Sequence, residues 1–203
     1  MKILITGFEP FGGEKINAAN EAVKLLPVNI AGAEVIKAEL PTVFGKCGEV
    51  LEQAIVKHQP DAVLCVGQAG GCSDISVEKV AVNVADASMP DNEQQQPSDE
   101  AVIEDGQAAY FSTLPLKAMV ENIKEHDIPA SISYTAGTFV CNDVMYRLMY
   151  MTERRYPKMR GGFVHVPYAD CQAADKPSGT PSMPIETIAK GLEYAIKAIV
   201  GHE

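Results

Sequence analysis

The chain has 203 residues, of which 46% are hydrophobic and 22% charged, and its formal net charge is −10 at pH 7. This length and composition predict one soluble domain spanning residues 1–203 with a sizeable core. The acidic balance argues against nucleic acid and anionic membrane surfaces as partners, because phosphate binding needs a basic face, and no apolar run approaches the roughly 18 residues of a membrane span.

Apolar runs alternate with helix-like segments along the chain, which is typical of an α/β fold with a largely parallel sheet. Residues 63–66 are apolar throughout, as expected for a strand that is covered on both faces. The predicted strands are, in chain order, Lys2–Phe8, Glu34–Leu40, Ala62–Gly67, Val77–Val84, Ala130–Thr135 and Gly162–Val166.

Four helices are predicted from apolar stripes and from residues that begin or end helices. Thr42 is a candidate N-cap for the first helix. A proline ends each of the first two helices, and Pro184 suits the first turn of the fourth helix. The helices run from Thr42 to before Pro60, from Leu116 to about His126, from Asn142 to Tyr156 and from Pro184 to Ile199.

The segment 86–107 fits neither pattern. It contains seven Asp or Glu residues, three consecutive glutamines and no Lys or Arg. Composition favours a solvated acidic loop. A long loop without regular structure is uncommon in a compact domain, however, and is often functional. Both interpretations stay open at this point.

Five cysteines, at positions 47, 65, 72, 141 and 171, form an odd set without a CxxC pair. With no secretion signal in the sequence, they favour reduced thiols in a cytoplasmic protein. Cys65 lies in the most apolar strand and is expected to be inert, whereas Cys72 follows a glycine-rich loop that would leave it exposed. Cys141 precedes a predicted helix, whose N-terminal N–H groups and dipole stabilise a thiolate. The residues alone leave Cys141 open between nucleophile and structural cysteine.

Four further residues each have two open interpretations. His165 lies near the end of a predicted strand, where ligands gather in open α/β sheets, but a lone strand histidine is also a common core residue. Glu78 is either a surface carboxylate or a group that orients a histidine. Phe8 and Phe11 either anchor the first loop to the core or form the wall of a substrate pocket. The glycine-rich stretches GFEPFGG and GQAGG match no phosphate-binding motif, so they support nucleotide binding only weakly.

A set of motifs occurs in fixed order along nearly the whole chain. It consists of GFEPFGG with Asn17, the stretch Gly67–Glu78, KVAVN, PDN, AYFSTLP, AGTFVCN and HVPY. Together these motifs resemble the type I pyroglutamyl peptidases (pyrrolidone-carboxylate peptidases). The resemblance implies a cytoplasmic cysteine-type omega peptidase that removes an N-terminal pyroglutamyl residue from peptides through a thioester intermediate. It also implies a three-layer α/β/α sandwich around a largely parallel twisted sheet, assembly as a homotetramer, and no cofactor or metal.

The resemblance also assigns site residues. Cys141 is the implied nucleophile, His165 its base and Glu78 the acid. A neutral lactam ring suits an apolar aromatic pocket with a few directed hydrogen bonds. The residues implied to bind the ring are Phe8, Phe11, Asn17, Gln68, Phe139 and Val140.

The chain departs from the family pattern at several positions. Cys72 and Ser88 stand where arginine is usual, and Lys79 replaces a third arginine. Asp143 adds a negative charge near the start of the helix that follows Cys141, and residues 17–20 read Asn-Ala-Ala-Asn where Asn-Pro-Ser-Trp is usual. An alternative is therefore a catalytically weakened relative that binds pyroglutamyl or lactam ligands without efficient turnover. A nucleoside-binding protein of similar sandwich fold is the remaining alternative.

Overall fold

A seven-stranded sheet forms the centre of the protein and a two-stranded sheet lies beside it. The structure is a computed structural model that describes residues 1–202. The strands are β1 (Lys2–Phe8), β2 (Asn29–Ile30), β3 (Ala33–Leu40), β4 (Ala62–Gln68), β5 (Ile75–Glu78), β6 (Val80–Val82), β7 (Ala109–Phe111), β8 (Ala130–Ser133) and β9 (Arg160–Val166).

The order of strands in the large sheet is β2-β3-β1-β4-β9-β5-β8. The four strands β3, β1, β4 and β9 run parallel to one another. β5 pairs antiparallel with β9 and parallel with β8, so the last two strands run in the opposite direction. As a result, the carboxyl ends of β4 and β9 and the start of β5 meet at one edge of the sheet.

Helices cover both faces of the large sheet, which makes the fold a three-layer α/β/α sandwich. One buried cluster joins α1, α3 and α6 to one face, and a second joins α2 and α4 to the other. Within residues 1–202, no helix has the length and apolarity needed to cross a membrane. The helices are α1 (Ala18–Leu25), α2 (Lys46–His58), α3 (Leu116–Lys124), α4 (Val140–Arg154), α5 (Asp170–Ala173) and α6 (Ile185–Val200).

Five of the six predicted strands are confirmed within about two residues at each end. The prediction of a single strand over Val77–Val84 is wrong, because the chain passes from the large sheet to the small one at Lys79. The backbone N–H of Lys79 donates to Ser133 at 2.8 Å, whereas its carbonyl accepts from Ser112 at 3.0 Å. The two halves therefore pair with different strands, β5 with β8 and β9, and β6 with β7.

Two helices start at residues other than those predicted. Thr42 does not cap α2: its hydroxyl donates to the carbonyl of Glu9 at 2.9 Å. Gly45 is the N-cap instead, with a φ of 72° that favours glycine. α4 begins at Val140, so the predicted start at Asn142 is two residues late and Cys141 lies inside the helix.

The acidic segment 86–107 contains no helix or strand, as its composition favoured, but it is fixed to the body of the protein. Asp91 is buried, and its carboxylate accepts from the backbone N–H groups of Phe44 at 2.9 Å, Glu93 at 2.8 Å and Gln95 at 2.9 Å. A carboxylate that accepts several N–H groups organises a turn in the manner of an Asx turn. The segment is therefore an anchored surface loop.

Candidate active site

Cys141 is the second residue of α4 and lies partly exposed in the first turn of that helix. Backbone N–H groups of a first turn have no partners within the helix, and the helix dipole favours a negative charge there. The sulfur lies against the end of β4, because a Cβ atom placed on Gly67 would be 2.8 Å from the Cys141 Sγ. The thiol is thus held over the carboxyl end of a central strand.

His165 and Glu78 form a close pair beside this sulfur. Nδ1 of His165 is 2.7 Å from Oε1 of Glu78, and both side chains are buried. His165 is in register with Gly67 on the neighbouring strand. Glu78 is opposite Phe163 in the antiparallel β5–β9 pair, so it reaches His165 diagonally across one face of the sheet.

Opposing influences set the charge of His165. Burial, the largest, would lower the pKa of the imidazole, because it disfavours the charged ring. The charge on Cys141 and a hydrogen bond with it act in the opposite direction, as does Glu78, and the resulting pKa is raised to about 10. The ring therefore carries its proton at neutral pH when the sulfur is ionised.

The other cysteines differ from Cys141 in their surroundings. Burial raises the pKa of Cys65 to about 12 and also raises that of Cys47, so both remain protonated thiols at neutral pH. Cys72, after the glycine-rich loop, is partly buried, and burial again raises its pKa. Cys171 is exposed on α5. Cys141 is the cysteine that the structure brings to a histidine.

Three phenylalanine rings pack together at the start of α4, the helix that contains Cys141. Phe139 is the N-cap of α4, two residues before Cys141. Its ring centroid is 6.1 Å from that of Phe11 in the first loop. Phe44 meets the same ring edge-on at 5.3 Å. Phe44 was not singled out from the sequence, because its neighbour Phe139 is distant in the chain.

The remaining apolar candidates are more deeply buried. Phe8 is 2% exposed and packs against Phe163 at 6.4 Å, and Val140 is fully buried in the first turn of α4. Phe163 in turn lies 4.8 Å from the ring of His165. Phe163 was missed in the sequence, although strand alternation places residues 163 and 165 on the same face of β9.

The two amide candidates, Asn17 and Gln68, join the first loop to the end of β4. Oε1 of Gln68 accepts from the N–H of Ala18 at 2.8 Å. Oδ1 of Asn17 caps α1 by accepting from the N–H of Ala19 at 3.1 Å, and its Nδ2 donates to the carbonyl of Glu9 at 3.2 Å. The structure therefore brings both amides to the same edge of the sheet as Gly67.

Asn142 was missed in the sequence but fixes the start of α4. Its Nδ2 donates to the carbonyls of Val82 and Val84, and its Oδ1 accepts from the N–H of Val82, each at 2.9 Å. The side chain is fully buried, so all these bonds are shielded from water. They tie the residue after Cys141 to the strand that follows Glu78.

Asp143 does not leave an isolated charge near the thiol. Its carboxylate is buried and lies 3.0 Å from Nε of Arg147, one turn further along α4. It also accepts from the N–H of Gly45 at 3.2 Å and from the thiol of Cys47 at 3.3 Å. The charge expected to oppose a thiolate is therefore compensated on the α2 side of the helix.

Cysteine, histidine and carboxylate side chains in hydrogen-bonded sequence are the parts that cysteine-dependent acyl transfer uses. Their position on an α/β/α sandwich, with the cysteine in the first turn of a helix, defines the class as cysteine hydrolases. Among residues 1–202, no group of three or more His, Cys, Asp or Glu side chains is arranged to hold a metal ion.

Comparison with known proteins gives the family within this class. A family model described as pyroglutamyl peptidase matches residues 1–202. The pyrrolidone-carboxylate peptidase of Enterococcus faecalis is 58% identical over 200 residues, covering 98% of this chain and 93% of that protein. The corresponding protein of Streptococcus suis is 56% identical with the same coverage.

Solved structures agree with this assignment. Pyroglutamyl peptidase I of Bacillus amyloliquefaciens superposes with a TM-score of 0.94 at 47% identity, covering 99% of this chain and 97% of that one. A mutant pyrrolidone carboxyl peptidase of Pyrococcus furiosus gives a TM-score of 0.95 at 44% identity, covering 99% of both chains. The chain belongs to the pyroglutamyl peptidase family and is an enzyme of the cysteine-type omega peptidase class, which confirms the resemblance seen in its motifs.

Proposed function

We propose that this protein removes N-terminal pyroglutamyl (5-oxoprolyl) residues from peptides, with Cys141 as nucleophile, His165 as the group that transfers protons and Glu78 as its orienting carboxylate. One observation carries the proposal. The imidazole of His165 is hydrogen-bonded to Glu78 at 2.7 Å, and His165 is in register with Gly67, the residue against which the Cys141 sulfur lies in the first turn of α4. This is the contact pattern of an activated cysteine nucleophile.

The reaction starts when His165 takes the proton of the Cys141 thiol, which gives a thiolate and an imidazolium. Glu78 holds Nδ1 of His165, which leaves Nε2 for Cys141. The thiolate attacks the carbonyl carbon that joins pyroglutamate to the next residue, and free N–H groups in the first turn of α4 stabilise the negative oxygen. His165 then gives its proton to the leaving amine as the C–N bond breaks, and a thioester remains.

Hydrolysis of the thioester completes the cycle. His165, now neutral, accepts a proton from the water that attacks the thioester carbonyl. Pyroglutamate leaves, and the thiolate and imidazolium form again. Glu78 keeps the imidazole in one tautomer and orientation through both steps, and its charge stabilises the ring whenever it is protonated.

Ring recognition follows from the chemistry of the pocket. Pyroglutamate has a neutral lactam, with one N–H donor and one carbonyl acceptor, so an apolar pocket with few hydrogen bonds suits it. An ordinary peptide N-terminus would bury an unpaired ammonium there and is rejected. The residues proposed to hold the ring are Phe8, Phe11, Asn17, Gln68, Phe139 and Val140.

The proposal extends to cellular setting and assembly. The family resemblance implies a cytoplasmic enzyme of single-domain subunits that assemble as a homotetramer and need no cofactor. The net charge of −10 supports peptides, and not nucleic acid, as the partners of the chain. Sedimentation of the purified protein tests the assembly, and a stable monomer at micromolar concentration would remove the tetramer from the proposal.

Release of a fluorophore from pyroglutamyl-aminocoumarin tests the reaction. The native protein should release it, and Cys141→Ala should lower the rate at least about 10³-fold. Cys171→Ala is the matched control, because this thiol is exposed on α5, and it should keep the native rate. Binding of a pyroglutamyl ligand by the native protein without release would favour the catalytically weakened relative. If the native protein neither binds the ligand nor releases the fluorophore, the proposal is wrong.

A further inference from the structure

Four polar side chains form a cluster beside the first loop, and we call Glu14, Tyr168, Gln172 and Lys176 the Lys176 cluster. Nζ of Lys176 is 2.5 Å from Oε1 of Glu14 and lies over the ring of Tyr168, 4.3 Å from its centroid. Nε2 of Gln172 donates to Oε2 of Glu14 at 3.0 Å and to the carbonyl of Ile16 at 3.2 Å. The cluster shares no residue with the set formed by Cys141, His165 and Glu78.

Glu14 attaches the first loop to this cluster. It lies three residues after Phe11 and three before Asn17, two of the residues proposed to hold the ring. Two glycines between Phe11 and Glu14 have φ values of 61° and 81°, so this part of the loop turns sharply. A single turn bond, from the N–H of Glu14 to the carbonyl of Phe11 at 3.1 Å, closes it. The Glu14 side chain therefore anchors the tip of the loop.

Tyr168 connects the same cluster to two other parts of the site. It lies three residues after His165 in the segment that follows β9. Its hydroxyl packs directly on the loop after β4, because a Cβ atom on Gly70 would lie 2.3 Å from the hydroxyl oxygen. Gly70 is two residues after Gln68. Lys176 therefore contacts residues that adjoin the first loop, the Gln68 loop and the end of the His165 strand.

We propose that Lys176 is a positioning residue that holds the first loop, with Phe11, against the pyroglutamyl pocket through its ion pair with Glu14. This inference rests on the proposed function. Both partners are about one-fifth exposed, so the pair is partly shielded from solvent. Without the ion pair, the first loop must become ordered when the ring binds. The conformational entropy lost in this ordering weakens substrate binding and leaves the reacting groups unchanged. The loss therefore falls on KM and leaves kcat unchanged.

Both partners keep their charges across the neutral range. The hydrogen bond between them lowers the pKa of Glu14 and raises that of Lys176. The effect on KM should therefore be independent of pH near neutrality. It should depend on salt, because ions screen a pair that is in part exposed. Added salt should raise KM of the native protein and leave KM of a variant without the pair unchanged.

Steady-state kinetics of Lys176→Met on a pyroglutamyl reporter tests the inference, since methionine keeps most of the stem and removes the ammonium. KM should rise about fivefold and kcat should stay within about twofold of the native value. Lys190→Met is the matched control. It removes an exposed ion pair with Glu193, 3.1 Å apart on α6, and should change neither constant.

Charge reversal separates positioning from a general role in stability. Glu14→Lys and Lys176→Glu should each raise KM, and the double variant should regain at least half of the lost affinity. Alkylation of Cys141 gives a second readout. Iodoacetamide needs no ring pocket and should react with Lys176→Met at the native rate, whereas a pyroglutamyl chloromethyl ketone should react several-fold more slowly.

The outcomes distinguish the two proposals. A native protein that releases no product contradicts the proposed function itself. A native protein that is active, with Lys176→Met unchanged in KM, overturns the positioning role alone. A variant with lowered kcat, native KM and a lowered melting temperature also overturns it, because that pattern marks a purely structural lysine.

Discussion

Gly67→Ala tests whether close packing at the end of β4 sets the position of the Cys141 sulfur. The added methyl group would lie 2.8 Å from the Cys141 Sγ and 2.7 Å from Cζ of Phe163, both shorter than van der Waals contact. Phe163 is fully buried and has little room to move. The thiol is partly exposed and can rotate away more easily, so the clash should displace the sulfur.

The expected effect is large on activity and moderate on stability. A displacement of about 1 Å in a reacting group can lower the rate about 10²-fold. Overpacking of this kind costs about 1–3 kcal/mol, and each kcal/mol lowers Tm by about 2–4 °C in a protein of this size. We therefore expect kcat/KM to fall about 10²-fold while the variant still unfolds cooperatively above room temperature.

The assay is reporter hydrolysis by the native protein and the variant, with thermal unfolding measured on the same samples. Gly201→Ala serves as control, because a Cβ atom there has its closest contact at 3.4 Å, and it should keep native activity. If Gly67→Ala folds and keeps kcat/KM within about threefold of native, the sulfur is not held by this contact and the reasoning fails.

Three further variants probe the charges of the site. Glu78→Gln removes one of the groups that raise the pKa of His165 to about 10, so the alkaline limb of kcat/KM against pH should move to lower pH, and an unmoved limb would contradict the assignment. Asp143→Ala leaves the partly exposed Arg147 without its carboxylate and the N–H of Gly45 without its acceptor, and should destabilise the fold by about 1–3 kcal/mol in urea titrations, with the activity of the folded fraction retained. Asp91→Ala removes an acceptor of four hydrogen bonds in the acidic loop. It should increase proteolysis within residues 86–107, and native resistance would show that the loop is held by other contacts.

The layered fold was predictable because its signals are local. Strand β4 reads as a continuous apolar run, and all seven of its residues are buried, as a strand covered on both faces requires. The direction of β5 was not predictable in the same way. Alternation of apolar residues is identical for parallel and antiparallel pairing, and the break at Lys79 depends on bonds to Ser133 and Ser112, which lie more than thirty residues away.

In the candidate site, too, the local features were predictable and the long-range contacts were not. Cys141 and His165 could be picked out because helix starts and strand ends are visible in the sequence, although the residues alone left both open. Their contacts depend on residues that are distant in the chain. The 2.7 Å hydrogen bond between His165 and Glu78, for example, joins β9 to the antiparallel strand β5. Phe44 and Asn142 were missed for this reason, since each acts on a segment more than fifty residues away.

The chain is strongly acidic, with a net charge of −10, yet the carboxylates near its candidate site are paired or hydrogen-bonded. Three acidic side chains near the candidate site are engaged by specific partners: Asp143 by Arg147, Glu14 by Lys176, and the buried Asp91 by backbone N–H groups. Each pairing also fixes a structural element, namely the start of α4, the first loop and the acidic loop. Acids that would otherwise oppose a thiolate or repel a peptide are thus held by partners and fix these three elements. The charge of Glu78 remains directed at His165, where it favours the imidazolium that faces Cys141.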